Sequence, residues 1–162
     1  MSETGISPAR LHALPGWKEG FFMSATDKEL LHKVSQWISY GDEDLQLARH
    51  ALTLKSGCPY RLIAYHAQQC AEKYLKAYLV FRRVDFPYTH NLSRLLELCS
   101  EHANWAETLQ DAEELTPFAI TTRYPGEDEA VSEEEALRAI DIASHVRQVV
   151  RNALEQEGFK YP

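Results

Sequence analysis

The stretch from Tyr60 to Arg82 constrains the fold more than any other part of the chain. It reads YRLIAYHAQQCAEKYLKAYLVFR and follows Gly57 and Pro59, which separate it from the preceding segment. Its apolar residues recur at helical spacing and cover most of the circumference of the predicted helix. A helix that is apolar nearly all round lies in the interior of a protein. We therefore expect this helix to form the centre of a bundle.

Four further segments show an apolar face at helical spacing. They begin near Thr26, after His90, near Trp105 and at Ser132. No segment alternates with a period of two, and no internal repeat is present. The pattern predicts an all-α protein, an antiparallel up-and-down bundle of four to five helices.

The ends of these segments carry recognisable signals. Thr26 with Glu29 and Ser132 with Glu135 have the spacing of a capping box, in which each residue's side chain binds a backbone donor of the other. Pro117 is predicted to close the fourth segment, and residues 121–131 to form a loop. Gly158 is predicted to end the last helix.

The chain has the length of one domain, 162 residues. Prolines and glycines interrupt residues 1–23, which we expect to be a weakly structured N-terminal extension of a helical bundle over residues 24–162. The net charge of −7 weighs against a protein that coats nucleic acid, since phosphate contacts require a basic face. It leaves room for a local basic cleft.

The three cysteines are odd in number and form no CxxC pair, so neither a zinc site nor a disulfide framework is indicated. Free buried thiols in a reducing cytoplasm are the simplest interpretation. The histidines form no HxxxH or HExxH pair, so no metal is expected, and no cofactor is predicted. No apolar run is long enough for a membrane span, and we expect no secretory signal, so the sequence predicts a cytoplasmic protein.

Five short motifs are spread over roughly residues 30–155. They are Asp44-Leu45 with Ala48, Tyr65-His66-Ala67-Gln68-Gln69-Cys70-Ala71-Glu72-Lys73 with Lys76-Ala77, Thr89-His90-Asn91-Leu92, Thr122-Arg123-Tyr124-Pro125 and Glu134-Glu135-Ala136. Together, and in this order, they resemble the motifs of HEPN domains, the nucleotide-binding domains of higher eukaryotes and prokaryotes. The resemblance implies a helical bundle that often dimerises and that frequently associates with a minimal nucleotidyltransferase. Many HEPN proteins are RNases, whereas others bind nucleotides or act only as partners.

The RNase branch of the family carries an R-x4-6-H motif near the start of the last helix. The arginine that matches it here is Arg123, but the histidine is missing, because positions 128 to 130 are Asp128, Glu129 and Ala130. Arg61 and His66 also satisfy R-x4-H. They lie in the wrong helix for the family, and residues five apart do not share a helix face. The resemblance is therefore to a member unlike the nucleases.

Polar residues of the central helix form one stripe, with His66, Gln69, Lys73 and Lys76 at positions i, i+3, i+7 and i+10, and Glu72 pairs with Lys76 at i+4. A stripe of this kind lines a ligand cleft, or it is a partly buried polar seam that fixes the bundle register or a dimer contact. We favour the seam, since buried polar groups require partners.

The remaining candidate residues are His90, Arg123 and Tyr124. His90 either bonds at a helix start or faces Arg123 in a polar pocket, and the sequence does not decide between these. Arg123 and Tyr124 lie in the predicted loop, where functional residues concentrate. The alternative, that Arg123 ties this loop to the acidic start of the last helix at Glu133–Glu135, is slightly favoured.

Together these features predict a dimeric HEPN binding module without nuclease activity, the partner of a minimal nucleotidyltransferase in a toxin–antitoxin-like or nucleotide-handling system. One alternative is a metal-independent RNase in which Arg123 stabilises charge and His90 or His66 replaces the missing base. Another is a nucleotide-binding module in which Lys73, Lys76 and Arg123 hold phosphates. A nucleotide or RNA is thus a candidate ligand.

Overall fold

The computed structural model describes residues 24–121 and 130–161, and it is helical with no strand in this part of the chain. The helical segments are α1 (Ala25–Ala51), α2 (Tyr60–Phe81), α3 (Leu92–Ser100), a 3₁₀ segment (Asn104–Leu115), α4 (Phe118–Thr121) and α5 (Glu133–Gln156). The all-α prediction is confirmed. Five of the six segments match the helical segments predicted from the sequence, and the sixth is the single turn α4.

Helix α2 is the centre of the bundle, as its sequence predicts. Its side chains Tyr74, Leu75, Tyr78 and Leu79 are fully buried. Helices α1 and α5 make the most extensive contacts with it, and α3, α4 and the 3₁₀ segment cover the rest. Gly41 of α1 permits close packing, because a Cβ there would lie 3.0 Å from the Tyr74 ring.

The first helix begins at Ala25, near Thr26 as predicted, but the proposed Thr26–Glu29 capping box is wrong. The box is formed by Ser24 and Asp27: Ser24 Oγ accepts from Asp27 N at 3.1 Å, and the Asp27 carboxylate accepts from Ser24 N at 3.3 Å. Both pairs have the required spacing. An ion pair from Arg83 to Asp27 joins the helix start to the end of α2 and favours the earlier box.

The predicted box at the start of α5 is confirmed, with Ser132 Oγ accepting from Glu135 N at 3.1 Å and Glu135 accepting from Ser132 N at 2.8 Å. Gly158 follows the end of α5 with a φ of +98°, which glycine adopts readily.

The fourth segment ends at Leu115, just before Pro117 as predicted, and the turn α4, which was not predicted, begins at the residue after this proline. Proline lacks an N–H and has a fixed φ, so it suits the start of a helical turn. The preceding segment is 3₁₀, and Leu109 interrupts it with φ −110° and ψ 23°. Most of the predicted loop, residues 122–129, lies outside the described residues, as does the predicted extension, residues 1–23.

The three cysteines are free, and Cys70 and Cys99 are buried as expected, whereas Cys58 is half-buried. Burial raises the pKa of the Cys70 thiol to about 12 and also raises the pKa of Cys99. Both thiols therefore stay protonated and unreactive near neutral pH. Among the described residues, no helix is both long and apolar enough to cross a membrane.

Candidate functional site

The most deeply buried polar side chains of α2 belong to the Glu72 cluster. This cluster comprises Gln68, Glu72 and Lys76 of α2 together with His90, which precedes α3. The exposed fractions of Gln68, Glu72 and Lys76 are 0%, 3% and 5%. Glu72 accepts from Lys76 Nζ at 2.7 Å and from Gln68 Nε2 at 2.9 Å. His90 Nδ1 lies 3.0 Å from Glu72 Oε2. Both carboxylate oxygens are thus engaged by side chains of the same chain.

These contacts keep Glu72 ionised although it is buried. Burial by itself raises the pKa of this carboxyl, but hydrogen bonds from Lys76 and Gln68 and the charge of Lys76 outweigh it, and the pKa is lowered. The Lys76 ammonium also lies 5.6 Å from the ring centre of Trp37 and 5.7 Å from that of Phe86. Such cation–π contacts compensate part of the solvation that the ammonium loses.

A second group, the Asp44 cluster, joins α1 to α2 through Asp44, His66 and Lys73. His66 Nδ1 lies 2.8 Å from Asp44 Oδ1, and Lys73 Nζ donates to Asp44 Oδ2. The three side chains are 12–25% exposed. Asp44 holds the His66 ring through Nδ1, so Nε2 is the ring nitrogen left for another contact.

The predicted polar stripe therefore divides between two clusters. His66 and Lys73 reach across to α1, while Lys76 turns to Glu72 and Gln69 donates to Gln68 Oε1 at 2.6 Å. The i,i+4 pair of Glu72 and Lys76 forms as its spacing predicts. Both lysines that were candidates for phosphate binding are bonded to carboxylates.

The structure places His90 on Glu72 and gives the helix-capping role to the next residue. Asn91 Oδ1 accepts from Arg94 N at 3.0 Å and caps α3. His90 is thus a hydrogen-bonding residue just before the helix start. Arg123 and Tyr124, the loop candidates, lie outside the described residues, as do Asp128 and Glu129.

A third group was missed by the sequence reasoning. This Asp42 cluster comprises Asp42 of α1, Tyr74 of α2, and Arg147 and Arg151 of α5. Asp42 Oδ1 accepts from Arg147 Nε at 2.6 Å and from the Tyr74 hydroxyl at 2.5 Å, and Asp42 Oδ2 lies 3.3 Å from a terminal nitrogen of Arg151. The cluster connects three helices at one point.

The Asp42 cluster is more open to solvent than the Glu72 cluster. The side chains of Asp42 and Arg147 are each 36% exposed, and that of Arg151 is 25% exposed. The Arg151 guanidinium stacks 3.8 Å from the ring centre of Tyr161. The hydrogen bond with Asp42 raises the pKa of Arg147 further. The available signal was the i,i+4 spacing of the two arginines, whose partner on α1 becomes evident only from the packing.

No group of three or more His, Cys, Asp or Glu side chains is placed to hold a metal ion within residues 24–121 and 130–161. The three clusters consist of carboxylates, cations, imidazoles, amides and the Tyr74 hydroxyl joined by hydrogen bonds.

Comparison with known proteins gives one finding. The family model of the HEPN domain matches residues 34–153, a range that contains all three clusters. No curated protein and no solved structure gives a significant match.

Proposed function

This chain belongs to the HEPN domain family, and from that premise we propose that it is a dimeric binding module, the partner of a minimal nucleotidyltransferase. The system would be toxin–antitoxin-like or nucleotide-handling. Membership of the family supports a nucleotide-binding or RNase-like module in general. The choice among these roles depends on the residues of this chain.

The observation that carries the proposal is the closure of the Glu72 cluster. A catalytic site needs a base and a charge-stabilising group that are free to engage a substrate. Glu72 is instead saturated by Lys76, Gln68 and His90, and it is almost fully buried. This arrangement favours a structural role for the polar core of the bundle and binding through its surface.

The sequence around Arg123 supports the same conclusion. The three positions at which a nuclease histidine is expected are Asp128, Glu129 and Ala130. Histidine is the side chain whose ordinary pKa suits a base at physiological pH, and none of these three residues is a histidine. A chain that keeps the family pattern without this histidine fits a partner module better than a nuclease.

The partnership is tested by affinity purification of the tagged chain from its own host, with mass spectrometry of the eluate. We expect a stoichiometric chain with the GSx10DxD pattern of nucleotidyltransferases, and loss of that chain when the tag is carried by an unrelated helical protein. Recovery of the protein alone would contradict the proposal. Light scattering of the pure chain is expected to give twice the 18.6 kDa of one protomer.

A second candidate function, a metal-independent RNase, is favoured by the Asp44 cluster. A histidine held through Nδ1 by a carboxylate presents Nε2 as a general base, as in hydrolytic triads. His66 has this arrangement with Asp44. In this function Arg123 would stabilise the charge that develops on the phosphate.

Cleavage of single-stranded and structured RNA in the presence of a chelator tests this candidate. If the protein is an RNase, His66→Asn and Asp44→Asn should both reduce the rate, and His145→Asn, at an exposed position of α5, should leave it unchanged. Wild-type protein that leaves both RNAs intact excludes this function.

A further inference from the structure

Two clefts lie side by side on the surface next to the Asp42 cluster. One has a volume of about 380 Å³ and is bordered by Arg151 and by Phe159 and Tyr161, which follow α5. The other has a volume of about 320 Å³ and is bordered by Arg49 and Arg147. Both are lined by Asp42 and Gln46, so the two clefts adjoin along α1. We call them together the arginine depression.

The two arginines of the Asp42 cluster have donors to spare. Arg147 uses only Nε, which donates to Asp42, and Arg151 uses one terminal nitrogen, shared between Asp42 and the Tyr74 hydroxyl at 3.3 Å each. A guanidinium carries several further N–H donors in a planar fork. Within the described part of the chain, these remaining donors have no acceptor.

Arg49 adds a third guanidinium with the same property. One of its terminal nitrogens donates to Ser144 Oγ at 2.8 Å, which directs the side chain of this α1 residue towards α5. Its other nitrogens have no acceptor among the described residues. Arg49 and Arg147 therefore both present free donors along the smaller cleft.

The guanidinium groups are held in place before any ligand arrives. Asp42 fixes Arg147, and Tyr161 stacks on Arg151 at 3.8 Å. Long side chains lose rotamer entropy when a ligand orders them, so prior ordering increases affinity. Contacts with Asp42, Tyr161 and Ser144 thus prepare this surface for a ligand.

The charge and geometry of the arginine depression fit an oxyanion. Three arginines border it, against the carboxylates of Asp42 and Glu43, so it is locally cationic in a chain of net charge −7. Arginine forks match phosphate oxygens, and several forks arriving from different helices suit a tetrahedral group better than a planar carboxylate.

We propose that the arginine depression binds the phosphate group of a phosphate monoester, with its oxygens on the free donors of Arg49, Arg147 and Arg151. The phosphate belongs either to a free nucleotide or to the 5′ end of an RNA. The site does not depend on the partnership with a nucleotidyltransferase. Asp42 serves as the internal acceptor that orders the arginines, and it also opposes the ligand's charge.

This double role of Asp42 gives the test a distinctive signature. Replacing Asp42 with asparagine keeps an acceptor oxygen for Arg147 but removes the negative charge. Affinity for phosphate should therefore rise in Asp42→Asn, whereas it should fall in Arg147→Gln. A residue with only a structural role would lower binding in both variants.

The experiment is calorimetric titration of the full chain at low salt with inorganic phosphate, AMP, adenosine, and a short RNA with or without a 5′ phosphate. We expect AMP to bind and adenosine not to bind. Arg147→Gln should weaken binding roughly tenfold, because one charge-assisted contact is lost. Arg138→Gln is the matched control, since Arg138 also lies on α5 but uses two of its nitrogens on Glu114. Its affinity should stay that of the wild type.

The titrations also identify the source of the phosphate. Tighter binding of the 5′-phosphorylated RNA than of AMP points to RNA ends, and equal or weaker binding points to free nucleotides.

Absence of binding by inorganic phosphate and AMP in the wild type overturns the proposal, as does an equal loss of affinity in Arg138→Gln. If Arg147→Gln fails to fold by circular dichroism, Arg49→Gln replaces it, because Arg49 is an exposed side chain. If the chain binds AMP but no nucleotidyltransferase co-purifies with it, only the proposed partnership is refuted.

Discussion

The Glu72 cluster and the Asp42 cluster are each built around one carboxylate, and they differ in how completely its partners are used. Around Glu72, the cations and amides come from the same helix or from His90, and the Glu72 side chain is 4% exposed. Around Asp42, the partners come from two other helices, and the Asp42 side chain is 36% exposed. The closed cluster is almost sealed from solvent, whereas the open one leaves arginine donors that solvent or a ligand can reach.

The physical cost of the two arrangements differs as well. Removing charges from water is expensive, and their attraction repays this only when every group is hydrogen-bonded. Glu72 meets that condition through its own neighbours. At the Asp42 cluster, solvent reaches the remaining arginine donors, so those donors cost little while unpaired. The comparison therefore predicts large effects of mutation at the closed cluster and small ones at the open cluster.

The largest effect is expected for Lys76→Met, which leaves Glu72 buried without its main counter-charge. Breaking a buried ion pair from one side typically costs about 3–5 kcal/mol. We expect the free energy of unfolding to fall by about that much, as measured by urea denaturation followed by circular dichroism at neutral pH.

Lys73→Met is the matched control, because Lys73 lies one turn earlier on the same helix and is also paired with a carboxylate. Its side chain is 21% exposed, so solvent compensates Asp44 when the ammonium is lost. A loss of about 1 kcal/mol or less is expected. If both variants lost the same free energy of unfolding, the deeper burial of the Glu72 cluster would not be what makes its ion pair important.

A smaller effect is expected from acid, which protonates Glu72 without removing any atom from the cluster. The pKa of Glu72 is lowered in the folded protein from its usual 4.5, so its contribution to stability is complete above that value. It is lost as the pH falls through the folded pKa. Wild-type protein should therefore lose stability more steeply below pH 4.5 than Glu72→Gln does.

Unfolding free energies of both proteins from neutral pH down to below the folded pKa measure this difference. Subtracting the two curves removes the contribution of the exposed carboxyls with lowered pKa values, such as Glu114 and Glu135. Parallel curves would mean that Glu72 is not the ionised centre of its cluster.

The sequence predicted the closed cluster better than the open one, and the reason is distance along the chain. Gln68, Glu72 and Lys76 lie on one helix at spacings of four, so helical geometry alone brings them together. Asp42 and Arg147 are 105 residues apart. Their contact depends on how α1 and α5 are rotated about their axes, which apolar periodicity constrains only loosely.

Helix starts illustrate the same limit on a smaller scale. Ser132 was predicted correctly because no competing pair lies nearby. At the first helix, Ser24–Asp27 and Thr26–Glu29 satisfy the same local rule. The contact that favours the first pair comes from Arg83, 56 residues away. Local patterns thus located the elements, and long-range contacts decided between equivalent local solutions.

A small effect, well below that of Lys76→Met, is expected for Tyr74→Phe at the open cluster. The ring stays in place within the core, and only the hydroxyl that donates to Asp42 and accepts from Arg151 is removed. Asp42 keeps Arg147 as a partner and remains open to water, so no buried group is left unsatisfied. The two hydrogen bonds of this hydroxyl together contribute about 1–2 kcal/mol, because their partners remain open to water. Tyr78→Phe, which removes a hydroxyl bonded to Glu157 at 2.7 Å, is the control from a different cluster.

Tyr74→Phe could instead lose as much free energy of unfolding as Lys76→Met. The Asp42 cluster would then be as closed as the Glu72 cluster, and its arginines would not be free for a phosphate.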